Sequence, residues 1–330
     1  MKIALLGAGA WGTSIASLFA DNGHQVVMYG HNPQHNDINL IHRNTPVFPD
    51  VVLSNLISFS FSLPETINDA DIIVFSVPSK SYRSVAKDVS LLLKKKVHII
   101  STAKGFDPTS FERLSIVLRE EIPEKKRFPI VTLIGPSYAS EVIKGLMTCV
   151  TAVSVKEEEA KFVQKVMSGP HFRVYTNNDE IGSECSAALK NVMAIGAGIL
   201  IGLGEGENAR AALVTRGLKE IMRFGLSLGG KTQTFYGLTG IGDLLLTCNS
   251  MKSRNFNLGY QIGKSDDALS VLKNNTKTCE GVDTSKYAYL MSKKLGIEMP
   301  ITEAVYKILF ESATPSLASR SLMARELKPE

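Results

Sequence analysis

Apolar positions in the first half of the chain fall in short runs separated by stretches of helical spacing. Residues 2–6 (Lys-Ile-Ala-Leu-Leu) read as a strand buried on both faces, 11–22 as a helix closed by Gly23, and 25–29 as a second strand. Further strands are predicted over 72–77, 97–101, 130–134 and 149–155, with helices over 82–93 and 110–121 between them. Strands alternating with helices predict a parallel sheet covered on both faces, whose ligands lie beyond the carboxyl ends of the strands. The segment 32–63, with Pro33, Pro46 and Pro49, has the least regular pattern of this half.

After about Tyr175 the pattern changes. β-branched runs thin out and long helical periodicities take over, at 183–203, 208–228, 284–295 and 302–310. The polar turn Thr176-Asn177-Asn178-Asp179 marks the break, which predicts an α/β domain over 1–178 and a helical domain over 179–330. A chain of 330 residues exceeds the usual size of one core, which agrees with two domains.

The first strand runs into Gly7-Ala8-Gly9-Ala10-Trp11-Gly12, a G-x-G-x-x-G pattern between a strand and a helix. In that context Gly7 permits a tight turn, Gly9 lets the backbone approach a pyrophosphate, and Gly12 lets the helix pack close to the strand. The amino end of the helix then offers N–H groups and partial positive charge to the phosphates. The second strand ends in Tyr29-Gly30-His31-Asn32. No carboxylate stands there to bind a ribose 2′-hydroxyl and no arginine to hold a 2′-phosphate, so NAD and NADP both stay open.

In the second half, Lys190 is a lone cation in a small and apolar helical stretch, Glu184-Cys185-Ser186-Ala187-Ala188-Leu189-Lys190-Asn191-Val192. Cys185, Leu189, Val192, Gly196 and Ile199 form its apolar stripe, and Lys190 shares a side with Ala187, Ala194 and Ala197. A lysine among such small neighbours can lose water, and burial disfavours its charged form. The ordinary alternative is a lysine that snorkels to solvent.

Composition narrows the function classes. Hydrophobic content of 44% and charged content of 21% are those of a soluble globular protein. A net charge of +5 with scattered basic residues argues against a nucleic-acid surface and suits a small anionic substrate. The four cysteines (Cys149, Cys185, Cys248, Cys279) lack metal-ligand spacing and are expected to be reduced, packed thiols. No signal-peptide core precedes the glycine loop, and the apolar stretch 192–204 is short and glycine-rich, so neither secretion nor membrane insertion is expected.

Further segments carry polar groups. Val77-Pro78-Ser79, Thr102-Ala103-Lys104-Gly105 and Gly135-Pro136-Ser137-Tyr138-Ala139 each end a predicted strand. Gly240-Ile241-Gly242-Asp243 and Ser253-Arg254-Asn255-Phe256-Asn257 lie in the second half. Taken alone, Ser253-Arg254-Asn255 also fits a surface turn or helix cap, Asp243 a helix N-cap, and Lys104 a solvated strand end. With Ala188-Leu189-Lys190-Asn191 and Asn208-Ala209-Arg210-Ala211-Ala212, these segments together closely resemble the NAD(P)-dependent glycerol-3-phosphate dehydrogenases of the soluble bacterial type, over nearly the whole chain.

That resemblance implies interconversion of dihydroxyacetone phosphate and sn-glycerol 3-phosphate for phospholipid synthesis. It also implies NAD or NADP as cofactor, an α/β Rossmann domain (1–178) followed by an all-helical domain of the 6-phosphogluconate-dehydrogenase type (179–330), and a cytoplasmic homodimer. Carried over by resemblance, Lys190 is the general acid and base, with Lys104 beside it and facing the cofactor. Gly135, Ser137, Asp243, Ser253, Arg254 and Asn255 match substrate positions. Gly7, Gly9, Ala10, Trp11, Gly12, His31, Lys104, Ala139, Arg254 and Glu280 match cofactor positions. Two departures stand out: Ala10 replaces the serine common before the tryptophan, and 36–63 is atypical where adenosine contacts are expected. Two other readings compete: a two-domain oxidoreductase acting on a hydroxy acid or sugar acid, and a non-catalytic nicotinamide sensor that needs the glycine loop but neither lysine.

Overall fold

The computed structural model describes residues 1–275, 278–327 and 329. It divides into two compact units, Met1–Glu180 and Ile181–Glu330. The first is a Rossmann-like α/β unit and the second is helical.

Eight strands form the sheet of the first unit: β1 (Lys2–Leu6), β2 (Gln25–Tyr29), β3 (Ile57–Ser60), β4 (Ile72–Phe75), β5 (His98–Ser101), β6 (Val131–Ile134), β7 (Thr148–Val153) and β8 (Phe172–Asn177). Their order is β3-β2-β1-β4-β5-β6-β7-β8. Period-two alternation sends successive side chains to opposite faces. Ile3 and Leu5 enter one core while Ala4 and Leu6 enter the other. With both faces buried, positions 3–6 of β1 and all of β4 are apolar, which is why these strands appear as continuous runs.

Helices α1 (Ala10–Asp21) and α4 (Glu157–Met167) cover one face, through Ile15, Phe19, Ala160 and Val163. Helices α2 (Tyr82–Leu92) and α3 (Leu114–Glu121) cover the other, through Tyr82, Ala86, Val89 and Leu118. The predicted helix at 110–121 begins only at Leu114, because Phe111 is left-handed (φ 65°) and Arg113 is extended.

Three features depart from the simple parallel reading. β6 and β7 run antiparallel. Between them lies a single four-residue helical turn, Ala139–Val142, which rises only about 6 Å and cannot carry the chain back for a parallel crossover. β3 and β8 are the two edge strands, and the pattern reading missed both. Each is half-exposed and alternates, with Ile57 and Phe59 or Phe172 and Val174 inward, so neither forms an apolar run. The segment 32–63 therefore contains β3 and two short helical turns, Pro33–Asn36 and Asp37–Ile41.

Helix α5 (Glu180–Gly202) begins at the last residue of the first unit. Burial alone would push the Glu180 carboxyl up, but Arg119, Ser115 and Arg113 bond it and hold it below the usual carboxylate range. By length and composition α5 could cross a membrane, yet most of it is buried in the protein. The helical unit continues with α6 (Gly206–Ser227), α7 (Asp243–Cys248), α8 (Arg254–Ser265), α9 (Glu280–Leu295) and α10 (Pro300–Phe310).

The contact between α5 and α8 is unusually close. A β-carbon at Gly198 would lie 2.1 Å from the Phe256 carbonyl oxygen, and one at Gly259 would lie 2.1 Å from that of Ile195. Only hydrogen fits at these crossings, so backbone meets backbone. This contact fixes the start of α8, and with it Ser253 and Arg254, relative to the α5 helix that carries Lys190.

Candidate active site

In the first unit the candidate residues collect at the carboxyl ends of β1, β2, β4, β5 and β6. The pairing puts Leu6 beside Tyr29 and Phe75, and Phe75 beside Ser101, so the loops that follow emerge side by side. Gly7 turns with φ 112°, and a β-carbon there would strike the Ser76 carbonyl oxygen at 2.4 Å. A β-carbon on Gly12 would meet the Gly7 oxygen at 2.0 Å. Gly9, the exposed N-cap of α1, has nothing within 4 Å of where its β-carbon would be. Two glycines thus face backbone and the third opens on the space a pyrophosphate needs. The fit to a dinucleotide is good.

Ala10 follows at the first position of α1, and Trp11 packs its partly buried ring against the core. The Ser14 hydroxyl lies within hydrogen-bond distance of the Ala10 carbonyl (3.0 Å) and the Ala139 carbonyl (2.9 Å), which brings Ala139 to the glycine helix. His31 is exposed just beyond β2, its ring edge-on to Tyr29 with 5.0 Å between centroids. Lys104 donates from Nζ to the Gly135 carbonyl at 3.3 Å, and the Ser137 hydroxyl donates to the same oxygen at 3.1 Å. Gly135 is required there: its φ is 153°, and a β-carbon would lie 2.9 Å from Val150 Cα.

In the second unit Lys190 is buried, only 5% exposed, so the snorkelling alternative fails. Its ammonium donates to the carboxylate of Asp243 and, at 2.9 Å, to the Thr247 hydroxyl. Asp243 is fully buried and opens α7 directly after the N-cap residue, Gly242. A kinked turn, Leu238–Gly242, delivers it, and Gly240 at the kink would place a β-carbon 2.1 Å from the Phe235 carbonyl oxygen. Thr247 stands one helical turn after Asp243 and donates to its backbone carbonyl at 2.6 Å. Sequence reasoning overlooked Thr247. Its signal was the i, i+4 spacing from Asp243, which puts both residues on one helix face.

Ser253 serves as the N-cap of α8, accepting from the Phe256 N–H at 3.2 Å, so the cap reading of that residue is realised. Asn255 is buried, and its Oδ1 accepts from the Gly281 N–H at 3.0 Å. Arg254 is exposed at the first position of α8, whose first-turn N–H groups add partial positive charge. Glu280 begins α9, and the Cys279 thiol before it donates to the Arg254 carbonyl at 3.6 Å. Arg254, Asn255 and Glu280 are therefore neighbours. The cysteines form no disulfide; burial pushes the Cys248 thiol up to about 12, a packed and unreactive state.

Comparison with known proteins shows the family of the chain. The N-terminal model of NAD-dependent glycerol-3-phosphate dehydrogenase matches residues 2–160, and its C-terminal model matches residues 179–320. Glycerol-3-phosphate dehydrogenase (NAD(P)+) of Lactococcus lactis subsp. lactis is 45% identical over 330 residues, covering 100% of this chain and 97% of that protein. The crystal structure of glycerol-3-phosphate dehydrogenase from Coxiella burnetii superposes with a TM-score of 0.92 at 34% identity, covering 98% of this chain and 99% of that one. The Saccharomyces cerevisiae enzyme gives a TM-score of 0.84 at 27% identity, over 98% of this chain and 99% of that one. With both family models matched in order and relatives aligned along the whole length, the chain belongs to the NAD-dependent glycerol-3-phosphate dehydrogenase family.

Proposed function

We propose that the protein catalyses the reversible reduction of dihydroxyacetone phosphate to sn-glycerol 3-phosphate, with Lys190 as general acid and base. The observation that carries this reading is the buried ammonium of Lys190, oriented by Asp243 and Thr247. A nicotinamide dinucleotide, when bound at the glycine loop, supplies hydride to the substrate carbon. The protein's own task is then to orient the ketone, stabilise charge growing on its oxygen and deliver a proton. Lys190 does the last two: its ammonium hydrogen-bonds the developing alkoxide and transfers a proton to it, and it recovers a proton from solvent before the next turnover. In the reverse direction the neutral amine removes the hydroxyl proton. Asp243 and Thr247 fix the direction of the ammonium, which converts a flexible side chain into a preorganised donor.

The substrate's other end is a phosphate dianion. Arg254 at the amino end of α8 supports its recognition by combining a guanidinium with the helix's positive end. Lys104, Gly135 and Ser137 are assigned to the substrate side of the first unit. Gly7, Gly9, Ala10, Trp11, Gly12, His31, Ala139 and Glu280 are assigned to the cofactor, with Lys104 and Arg254 shared. The reading extends to a cytoplasmic homodimer that supplies the glycerol backbone of phospholipids.

The test is oxidation of NADH and NADPH, in parallel, with dihydroxyacetone phosphate against unphosphorylated dihydroxyacetone. Turnover that depends on the phosphate is the expected result. Cofactor binding without such turnover would favour a hydroxy-acid enzyme or a sensor instead.

A further inference from the structure

The glycine loop is braced by a residue from the irregular segment that follows β2. Asn44 is fully buried. Its side-chain Nδ2 donates to the Ala8 carbonyl at 3.0 Å and to the Thr13 hydroxyl at 2.7 Å. The Thr13 hydroxyl in turn donates to the Gly9 carbonyl at 2.9 Å. On the opposite side Asn44 Oδ1 lies 2.8 Å from His35 Nδ1.

These bonds leave one consistent assignment of hydrogens. The Ala8 carbonyl only accepts, so the amide nitrogen of Asn44 must face it. Its oxygen then faces His35, whose Nδ1 must carry the proton. Both N–H groups of Asn44 are consumed by the glycine loop and the first turn of α1. His35 itself is buried against Phe59, in the 3-10 turn that opens the segment.

The consequence concerns peptide planes. In a trans peptide the carbonyl and the following N–H point in opposite directions. Holding the Ala8 carbonyl toward Asn44 therefore aims the Gly9 N–H the other way. Holding the Gly9 carbonyl toward Thr13 does the same for the Ala10 N–H. Successive N–H groups turned outward while their carbonyls are tied inward make an anion-binding concavity. Ala10 brings no hydroxyl of its own, so backbone donors carry the phosphate contact in this part of the loop.

We propose that Asn44, with Thr13 and His35, is a positioning residue that sets the pyrophosphate-facing N–H groups of the glycine loop and so determines dinucleotide affinity. This rests on the assignment of that loop to the dinucleotide. Asn44 does not touch the reacting atoms, and its effect is exerted on cofactor binding.

The test measures the dissociation constant of NADH by fluorescence titration for wild type, Asn44→Ala, Asn44→Asp and Thr13→Val. Melting temperatures without ligand and the steady-state constants are recorded beside it. Loss of two buried hydrogen bonds predicts a Kd raised about 10- to 100-fold in Asn44→Ala. A further increase is expected in Asn44→Asp, where a carboxylate opposes the Ala8 carbonyl. Thr13→Val, nearly isosteric, predicts about a 3- to 10-fold rise. The KM for NADH should follow Kd, with kcat at saturating cofactor within about threefold of wild type. Asn39→Ala is the control. Asn39 pins the same segment to Phe59 through two backbone bonds of 2.9 and 2.8 Å without reaching the loop. It should lower the melting temperature and leave Kd within about twofold. Should Asn44→Ala fail to fold, Thr13→Val decides. Unchanged Kd in the folded variants, or a rise in Asn39→Ala equal to that in Asn44→Ala, overturns the proposal. Absence of binding of both NADH and NADPH by wild type would instead overturn the loop's assignment to the dinucleotide.

Discussion

Replacing Lys190 by methionine separates its chemical from its structural contribution, because the two have different partners. Methionine keeps the length of the side chain and removes the charge. It leaves the Asp243 carboxylate fully buried without its cation. Breaking a buried ion pair from one side destabilises by about 3–5 kcal/mol, since the remaining buried charge has lost both its water and its counter-charge. Removing the second charge should return most of that, so Lys190→Met/Asp243→Asn is expected to be more stable than Lys190→Met alone. Activity should behave oppositely. Loss of a general acid slows the chemical step about 10²- to 10⁴-fold, a barrier increase of about 3–5 kcal/mol, and the double variant should recover none of it. The assays are urea unfolding of wild type, both single variants and the double variant, with turnover of dihydroxyacetone phosphate at saturating NADH and a cofactor titration. NADH affinity should stay close to wild type in all of them. Near-normal turnover in Lys190→Met would remove this lysine from the chemistry, and a double variant no more stable than the single one would show that the pair is not coupled.

Three other outcomes are expected. Arg254→Ala should raise the KM for dihydroxyacetone phosphate by at least about tenfold, as for a charge-assisted bond of about 1.5–3 kcal/mol, with a smaller change in kcat; an unaltered KM would argue against its contact with the phosphate. Gly198→Ala puts a methyl 2.1 Å from the Phe256 carbonyl oxygen and should cost about 1–3 kcal/mol or more in unfolding free energy, with loss of activity as the start of α8 shifts; a fully stable variant would mean the helices tolerate separation. Burial pushes the Glu220 carboxyl up to about 7, even though it accepts the Ile301 and Thr302 N–H groups that open α10. Between pH 4.5 and 7 the folded protein then holds a proton that the unfolded chain has released, so stability falls as pH rises through this window. Relative to Glu220→Gln the decline should approach about 3 kcal/mol by urea unfolding, and a wild-type advantage that grows with pH would refute the sign.

What the sequence determined by itself is whatever depends on local spacing or on backbone conformation. The strand-loop-helix around Gly7, Gly9 and Gly12 was legible because Gly7 and Gly12 answer nearby backbone constraints while Gly9 keeps the loop open to approach. Central strands such as Lys2–Leu6 were legible because burial on both faces writes a continuous apolar run. The edge strands Ile57–Ser60 and Phe172–Asn177 were not, since one face of each meets solvent and the run is broken. The reversal between Val131–Ile134 and Thr148–Val153 was hidden too, because it follows from how far a single helical turn can carry the chain.

Among the site residues, Lys190 announced itself as a cation in a small apolar helix, but its partners did not. Asp243 could equally have capped its own helix, and only the kink at Gly240 turns it to the ammonium, with Thr247 following one turn later. Ser253 took the local alternative and caps α8, a choice its sequence neighbours allowed but did not force. Asn44 lay in the stretch with the weakest pattern, yet tertiary structure placed it 31 and 36 positions away in sequence from the groups it holds. Local chemistry selects which residues can act. Long-range packing, which closes distances no periodicity records, decides which of them meet.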